Sequence, residues 1–177
     1  MQPQEVVTFW HSAGRRKWFS GGPEFDTECR TRLEAGHFAA SRREFDSWAA
    51  SAEGALALCL LLDQIPRNIY RHSGHAFATD GLALQHARQA IAAGLDQQVE
   101  AELRAFFYLP FEHSETLADQ QRSLELFEAL GIEHYRRYAE AHREVIARFG
   151  RFPHRNRALG RINTPDEQAW LDAGGGF

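Results

Sequence analysis

Residues 55–62 read Ala-Leu-Ala-Leu-Cys-Leu-Leu-Leu, and residues 63–71 continue as Asp-Gln-Ile-Pro-Arg-Asn-Ile-Tyr-Arg. The first stretch is dominated by leucine and alanine, which are strong helix formers, and it contains no β-branched residue. Its apolar side chains cover every direction of a helical wheel rather than one stripe. The stretch therefore predicts a helix that is buried on all sides, with the rest of the chain packed around it.

Pro66 marks the end of this apolar stretch. A proline inside a helix removes one N–H and crowds the carbonyl four residues earlier, so we predict that the helix kinks or stops near Gln64. The carbonyls that lose their partners need other donors. Arg67, Asn68 and Arg71 are the nearest donors in the sequence.

A charged group follows the predicted helix. If the kink is mild, Asp63, Arg67 and Arg71 lie on one face, because they are four residues apart. Together with Asn68 they form either a structural ion-pair network or a binding site. The ion-pair network is the more frequent arrangement for charges at the end of a buried helix.

The composition is that of an ordinary globular chain. Its 177 residues are 44% hydrophobic and 25% charged, which predicts one domain over residues 1–177. The net charge of −4 gives no overall attraction to nucleic acid or to anionic membranes, and we expect neither as a partner. Positive charge is carried by arginine, with Lys17 the only lysine, and arginine is suited to bidentate contacts with carboxylates and phosphates.

The chain has two cysteines, Cys29 and Cys59, and no CxxC spacing. This pattern fits a reducing compartment and argues against a thiolate metal site. The first residues lack a basic and a long apolar region, and residues 55–62 are too few to span a bilayer. From the sequence we expect a cytoplasmic protein without a cofactor.

Helix caps and apolar periods recur along the chain, and no stretch alternates with period two. Besides the central helix they predict helices at 4–11, 24–36, 41–48, 80–94, 96–108, 114–130, 132–149 and a short one after Thr164. The boundaries are set by Ser41 and Ser114 as N-caps, by Pro110 as a helix breaker, by Gly94, Gly131 and Gly150 as C-terminal stops, and by loops at 12–23, 72–79 and 151–163. The fold class predicted is all-α, built of antiparallel hairpins, with 80–108 and 114–149 as the clearest pairs.

Four strings resemble the signature blocks of the bacterial domain-of-unknown-function family 924. They are LLLDQIPRNIYR (60–71), AFATD (76–80), FFYLPFEHSETLADQ (106–120) and RFGRFPHRNRALGRINTPDE (148–167). The resemblance covers essentially the whole chain. It implies a right-handed, tetratricopeptide-like superhelix of helical hairpins, and it implies no activity.

A second group of polar residues surrounds the start of the helix predicted at 114–130. His113 precedes the helix, and Glu115 and Asp119 lie one turn apart within it. A histidine beside a carboxylate can act as a general acid and base. Acidic residues in a first helical turn are also favoured by the helix dipole without any catalysis.

The segment 148–161 is rich in arginine and has no acidic residue. It contains Arg148, Arg151, Arg155, Arg157 and Arg161, together with His154, Phe149 and Phe152. Arginines interleaved with aromatic residues can bind phosphates and stack on bases. Residues 112–128 carry five acidic residues against one arginine, so we expect the two segments to dock on each other and bring His113 near Arg155. A metal site built from His113, Glu115, Asp119 and His154 is not expected, because HExxH is absent and His154 lies in a distant loop.

The sequence therefore predicts a helical protein that binds a small anionic ligand or an acidic peptide in a concave polar site. The alternatives are an enzyme that uses His113 with a neighbouring carboxylate such as Glu115, and a protein–protein adaptor without a pocket. The residues predicted to line the binding site are Asp63, Arg67, Asn68, Arg71, Asp119, His154, Arg155, Asn156 and Arg161. The oligomeric state stays open.

Overall fold

The computed structural model of the chain describes residues 1–177 and contains helices and turns but no strand. The α-helices in chain order are α1 (Pro3–Ser20), α2 (Gly22–Ser41), α3 (Ala52–Cys59), α4 (Ile65–Ile69), α5 (Asp80–Ala92), α6 (Ala101–Glu112), α7 (Leu117–Leu130), α8 (Glu133–Phe149) and α9 (Pro165–Asp172). Short 3-10 turns lie at Asp46–Ala50, Gly74–Phe77, Asp96–Gln98 and Pro153–Arg155. The all-α class predicted from the sequence is confirmed. No helix is both long and apolar enough to cross a membrane.

Contacts along the chain define two compact units. The first unit comprises Met1–Arg71 and His75–Pro110, and the second comprises His72–Gly74 and Phe111–Phe177. The residues predicted to form a site fall into both units, so each unit is described separately.

The predicted central helix is present and is buried as expected. Residues 55–62 are each at most 1% exposed. The helix does not stop near Gln64, however, because α3 continues through one π-helical turn, Leu60–Gln64, directly into α4. Helical backbone angles persist at Leu60 and Ile65, and Pro66 lies in the first turn of α4.

The π turn accommodates the proline by widening the helix. Ile65 N–H donates to the carbonyl of Leu60 instead of Leu61, and Pro66 has no N–H to donate to Leu62. The two carbonyls left over are bonded by side chains from other elements. His37 Nδ1 lies 2.8 Å from Leu61 O, and Thr79 Oγ1 donates to Leu62 O at 2.5 Å.

The predicted donors supply the next two carbonyls. Arg67 Nη1 donates to Asp63 O at 2.8 Å, and Asn68 Nδ2 donates to Gln64 O at 3.0 Å. Arg71, the third predicted donor, pairs instead with Asp26. The four consecutive carbonyls of residues 61–64, all within the π turn, therefore have side-chain partners. This explains how a buried helix can tolerate the local geometry.

In the first unit α3 packs on α1 and α5, and α2 packs on α4. The predicted pairing of 80–94 with 96–108 is therefore not the main contact of α5, which lies on the buried helix. Helix α3 is apolar on all sides, so each neighbouring element with an apolar face can be buried against it. The free energy gained by this burial exceeds the gain from pairing two helices that are adjacent in sequence.

The predicted loop at 12–23 is wrong for most of its length. Helix α1 extends to Ser20, with an interruption at Gly14, where φ is 72° and ψ is 166°. After the interruption Trp18 Nε1 donates to Trp10 O at 2.6 Å. Both indoles pack edge-on against Phe106, at centroid distances of 5.4 Å and 5.1 Å. These buried contacts fix the second half of α1, and local sequence signals do not reveal them.

In the second unit α7 and α8 form the predicted hairpin. Gly131 ends α7 in the left-handed conformation, with φ of 74°, and Phe127 stacks on Tyr135 across the turn at 5.4 Å. Gly150 ends α8 in the same way, with φ of 68°. Thr164 caps α9 in a capping box with Glu167, as predicted.

Two other predicted boundaries are wrong. Ser41 ends α2 instead of capping a new helix, and its hydroxyl donates to Phe38 O at 2.8 Å within α2. Residues 42–50 form turns and a 3-10 segment. Pro110 does not break α6, which continues to Glu112. A proline this close to the end of a helix removes only one of its hydrogen bonds, so the last turn survives.

Candidate functional site

In the first unit, Arg67 lies between two carboxylates. Its Nη1 and Nη2 donate to Asp80 Oδ1 and Oδ2 at 2.7 Å and 2.9 Å, and Nη1 is 3.1 Å from Oδ1 of the buried Asp63. Burial alone would lower the pKa of Arg67, but the charges of Asp63 and Asp80 raise it overall. The guanidinium is thus engaged by protein carboxylates, as an ion-pair network requires.

Arg71 and Asn68 extend this network. Arg71 Nε and Nη2 donate to Asp26 at 2.5 Å and 2.9 Å, and Nη2 also donates to Asn68 Oδ1 at 3.1 Å. The hydrogen bond with Asp26 is the main reason why the pKa of Arg71 is raised. Asp63, Arg67, Asn68 and Arg71 are therefore brought together as predicted, with Asp26 and Asp80 as partners that the sequence did not indicate.

In the second unit, side chains bind the backbone of the turn after α6. Gln120 Nε2 donates to Glu112 O at 2.6 Å and to Ser114 O at 2.7 Å. Arg155 Nη1 donates to His113 O at 3.0 Å. Three successive carbonyls are thus held by donors from α7 and from the arginine-rich segment. The turn that carries His113 is fixed in position as a result.

Glu115 is bound on both carboxylate oxygens. Arg161 donates to Oε2 at 2.7 Å and to Oε1 at 2.9 Å, and the backbone N–H of Phe152 donates to Oε1 at 2.8 Å. Burial would raise the pKa of Glu115, but the hydrogen bonds with Arg161 and Phe152 lower it overall. The predicted docking of the acidic and arginine-rich segments is confirmed by these contacts and by that of Arg155 with His113. They give Glu115 a structural role, because both of its carboxylate oxygens hold the arginine-rich segment.

Ser114 does not cap α7, because the helix begins at Leu117 and the residue at the cap position is Thr116. The Ser114 hydroxyl accepts from Thr116 N–H at 3.2 Å and donates to Asp119 Oδ2 at 2.8 Å. Asp119 is 6% exposed. Ser114 therefore links the residue at the cap position to the first turns of α7 without being the cap itself.

Asn156 and Arg151 belong to a separate network around Glu167. Arg151 donates to Glu167 Oε1 and Oε2 at 2.6 Å and 2.8 Å, which is the main reason why the pKa of Glu167 is lowered to about 2. Asn156 Nδ2 donates to Asn163 Oδ1 at 2.7 Å. This network ties the arginine-rich segment to the cap of α9.

The remaining predicted residues gather with one that the sequence did not single out. We define the imidazole cluster as His113, His142, His154, Arg155 and Phe152. The rings of His142 and His154 each lie 5.5 Å from the Phe152 ring, and the ring of His113 lies 6.4 Å from that of His142. The Arg155 guanidinium lies over the Phe152 ring, 4.4 Å from its centroid. Two imidazoles and one guanidinium therefore contact the buried Phe152 ring, and the third imidazole, that of His113, lies beside His142.

His142 is the most buried histidine of the imidazole cluster, with 6% of its surface exposed. Its pKa is lowered to about 3, mainly by burial and also by the neighbouring His113, Arg155 and His154. Nδ1 lies 2.8 Å from Tyr138 O and therefore carries the proton. Glu112 Oε1 is 3.5 Å from the same nitrogen, but a neutral imidazole forms no ion pair with it.

His142 was missed because it lies within the apolar stripe of α8. Tyr135, Ala139 and Ile146 share this buried face with it. A histidine at such a position is usually a core residue, and its neighbours His113 and His154 come from other elements. The usable signal was the position of a titratable residue on the apolar face of a strongly amphipathic helix.

Comparisons with known proteins agree over nearly the whole chain. A family described as bacterial proteins of unknown function (DUF924) matches residues 6–175. The solved structure of a protein of unknown function from Agrobacterium tumefaciens is similar, with 49% sequence identity, a TM-score of 0.94 and 97% of each chain covered. A search of curated proteins found no match.

Proposed function

We propose, since the chain belongs to the DUF924 family of bacterial proteins of unknown function, that it binds a small anionic ligand at the imidazole cluster of the second unit. The observation that carries this proposal is the packing of His142, His154 and Arg155 against Phe152, with His113 beside His142. Of the two carboxylates beside the cluster, Glu115 has Arg161 as its partner, and Glu112 lies 3.5 Å from His142 Nδ1.

The charge distribution supports an anion at this place. The chain as a whole has a net charge of −4, yet three imidazoles and a guanidinium lie together here. The Arg155 guanidinium is always positively charged, and its attraction for an anion is strong in a poorly hydrated environment. His142 and Arg155 are each 6% exposed, so an anion bound there would be screened only weakly by solvent.

The first unit supports a binding role less well. Arg67 and Arg71 each make a bidentate contact with a carboxylate of the chain. An added anion would have to displace Asp80 or Asp26, which are covalently tethered nearby and compete at high effective concentration. We therefore assign the four predicted residues of the first unit a structural role.

The contacts of Glu115 argue against the enzyme alternative, in which this carboxylate would act with His113. Glu115 accepts three hydrogen bonds, and its pKa is lowered, so it is a weak base that stays ionised and engaged. A general base must be within reach of the proton that it removes. Binding without chemistry is the simpler function for this arrangement.

The tetratricopeptide-like superhelix is part of the proposal. It is supported by the α7–α8 hairpin with its left-handed Gly131 and by the family resemblance. An experimental structure in which successive hairpins stack with a right-handed twist would support it. Hairpins packed as a closed bundle would contradict it.

Thermal unfolding in the presence of small anions tests the binding proposal. Inorganic phosphate should raise the melting temperature of the wild type, because a ligand that binds only the folded state stabilises it by mass action. At a hundredfold excess over Kd the gain is about 2.7 kcal/mol, or roughly 5 to 10 °C for a chain of this size. In Arg155→Met, phosphate should no longer raise the melting temperature. In Arg67→Met, the melting temperature without phosphate should be lower, but phosphate should raise it as much as in the wild type.

A second variant separates binding from folding, because Arg155 also holds the carbonyl of His113. His154→Gln leaves that bond intact and should still reduce the rise with phosphate. The proposal fails if phosphate does not raise the melting temperature of the wild type. It also fails if phosphate raises the melting temperatures of Arg155→Met and His154→Gln as much as that of the wild type. A rise with an acidic peptide and none with phosphate would favour the peptide alternative instead.

A further inference from the structure

Residues 174–177 follow α9 and pass over the imidazole cluster. Gly174 N–H donates to Leu171 O at 2.9 Å, and Gly175 N–H donates to Trp170 O at 3.0 Å. Gly175 lies flat on the indole of Trp170, where a Cβ atom would be 2.3 Å from the ring. Only glycine fits this approach, and it sets the course of the segment toward the cluster.

The ring of Phe177 contacts the rings of His142, Phe152 and His154. The ring lies 3.6 Å from that of His142, nearly parallel at 14°. It meets Phe152 at 6.2 Å and 90°, and His154 at 5.7 Å and 82°. The Phe177 ring thus has one stacked and two edge-on neighbours, and we call the position that it occupies the ring subsite. Such combined stacked and T-shaped geometry suits a planar aromatic group.

The side chain of Phe177 fills the ring subsite only loosely. It stays 51% exposed, whereas Phe152 beneath it is fully buried. A phenylalanine that leaves half its surface in water gains only part of the free energy of burial that a core position gives. The ring can therefore be displaced by a competing aromatic group at modest cost.

We infer that the anionic ligand of the proposed function is an aromatic acid, whose ring occupies the ring subsite in place of Phe177. Its carboxylate or phosphate is bound by Arg155, which lies 4.4 Å from the centroid of Phe152, the ring shared by both halves of the site. The inference rests on the proposed function and adds the chemical class of the ligand. His142 supports it, because a neutral imidazole stacks on an aromatic ring without the cost of desolvating a charge.

The test compares benzoate with cyclohexanecarboxylate, which has a saturated ring of similar size. Binding is measured by calorimetry for the wild type and for Phe177→Ala. Removal of the competing ring should tighten benzoate binding at least tenfold, because the ligand no longer has to displace it. Cyclohexanecarboxylate should bind each protein more weakly than benzoate does, since it cannot stack on His142.

Matched variants identify the cause of the effect. Phe177→Leu keeps an apolar side chain without the ring and should give an intermediate gain. Phe38→Ala removes another phenylalanine that is 45% exposed, but from the first unit, and should leave benzoate binding unchanged. The imidazole resonances of His142 and His154 should shift on addition of benzoate to Phe177→Ala.

The outcomes distinguish the inference from the proposed function. If phosphate stabilises the wild type but Phe177→Ala binds benzoate no more tightly than the wild type or cyclohexanecarboxylate, the aromatic-acid inference is overturned and the proposed function stands. If neither phosphate nor benzoate binds any variant, both are overturned. Tighter binding of benzoate with shifts at His142 supports both.

Discussion

At the scale of single residues, the chain uses arginine in two ways. Arg67, Arg71 and Arg161 are each joined to a carboxylate by two hydrogen bonds. Arg155 is instead stacked on Phe152 and bound to a backbone carbonyl, with three imidazoles nearby. The same residue type therefore stabilises the fold at some positions and provides a candidate anion contact at another.

Removal of the Arg67 guanidinium should be strongly destabilising. Arg67→Met leaves Asp63, which is 1% exposed, without its cationic partner, and we expect a loss of about 3 to 5 kcal/mol in the free energy of unfolding. Arg122→Met is the control, because Arg122 pairs with Glu125 at the surface and should contribute less than about 1 kcal/mol. Equal losses for both variants in urea unfolding would contradict the structural role of Arg67.

The titration of His142 should make the protein less stable in acid. Its pKa is about 3 in the fold, mainly because of burial, and 6.5 for an ordinary histidine, so the unfolded chain takes up a proton first as the pH falls. The stability that His142 contributes is complete above about pH 6.5 and is lost progressively toward pH 3. The charged and titratable groups that face His142 are Glu112, His113, His154 and Arg155.

His142→Gln removes this titration and keeps a donor for Tyr138 O. Between pH 7 and pH 5 the variant should lose up to about 2 kcal/mol less than the wild type. Val145→Ala, which leaves a cavity on the same helix, should lower stability by a similar amount at every pH. If the free energy of unfolding depends on pH in the same way for the wild type and for His142→Gln, the fold does not keep His142 neutral.

At the scale of helices and turns, the π turn at Leu60–Gln64 depends on donors outside its own helix. Thr79→Val removes the hydroxyl bonded to Leu62 O and leaves a buried carbonyl without that donor, at a cost of about 1 to 3 kcal/mol. Thr27→Val is a matched control, since Thr27 donates to Pro23 O on the exposed surface of α2. Similar stabilities for the two variants in chemical unfolding would mean that the donor is dispensable.

The central helix itself should be sensitive to truncation of its side chains. Leu60 and Leu61 are fully buried, so Leu60→Ala or Leu61→Ala creates a cavity in a packed interior. Each should lower the free energy of unfolding by about 2 to 5 kcal/mol. Losses near zero for both in urea unfolding would remove this helix from the core.

Local signals predicted the elements whose ends are decided locally. Gly131, Gly150 and the Thr164 cap were found because a left-handed glycine or a capping box needs only a few adjacent residues. The π turn was not found, because it depends on His37 and Thr79, which are distant in sequence. Ser114 was misassigned as the cap because α7 begins three residues later, at Leu117, with Thr116 at the cap position.

For the candidate site, the sequence predicted which segments come together but not which side chains pair. The opposite charges of 112–128 and 148–161 correctly indicated that these segments dock. The sequence could not show that Arg161 makes the bidentate contact with Glu115, or that Arg155 stacks on Phe152. His142 joins Arg155 there only because the fold turns the apolar face of α8 toward Phe152.

At the scale of the whole molecule, one domain over residues 1–177 stays a prediction with a simple test. A single cooperative transition should appear in both calorimetry and circular dichroism, with equal calorimetric and van't Hoff enthalpies. The chain of 177 residues is within the size range in which one domain is common. Two transitions, or a calorimetric enthalpy well above the van't Hoff value, would mean that the two compact units unfold independently.

The central claim is that the imidazole cluster binds an anion, and a titration of the histidine side chains by NMR tests it most directly. Imidazole resonances of the wild type would be followed with increasing phosphate at constant pH and ionic strength. We predict saturable shifts for His113, His142 and His154 and no comparable shift for His86, which is buried in the first unit. Arg155→Met should abolish the saturation. Resonances of the three cluster histidines that stay unchanged, or that move no more than that of His86, would contradict the claim.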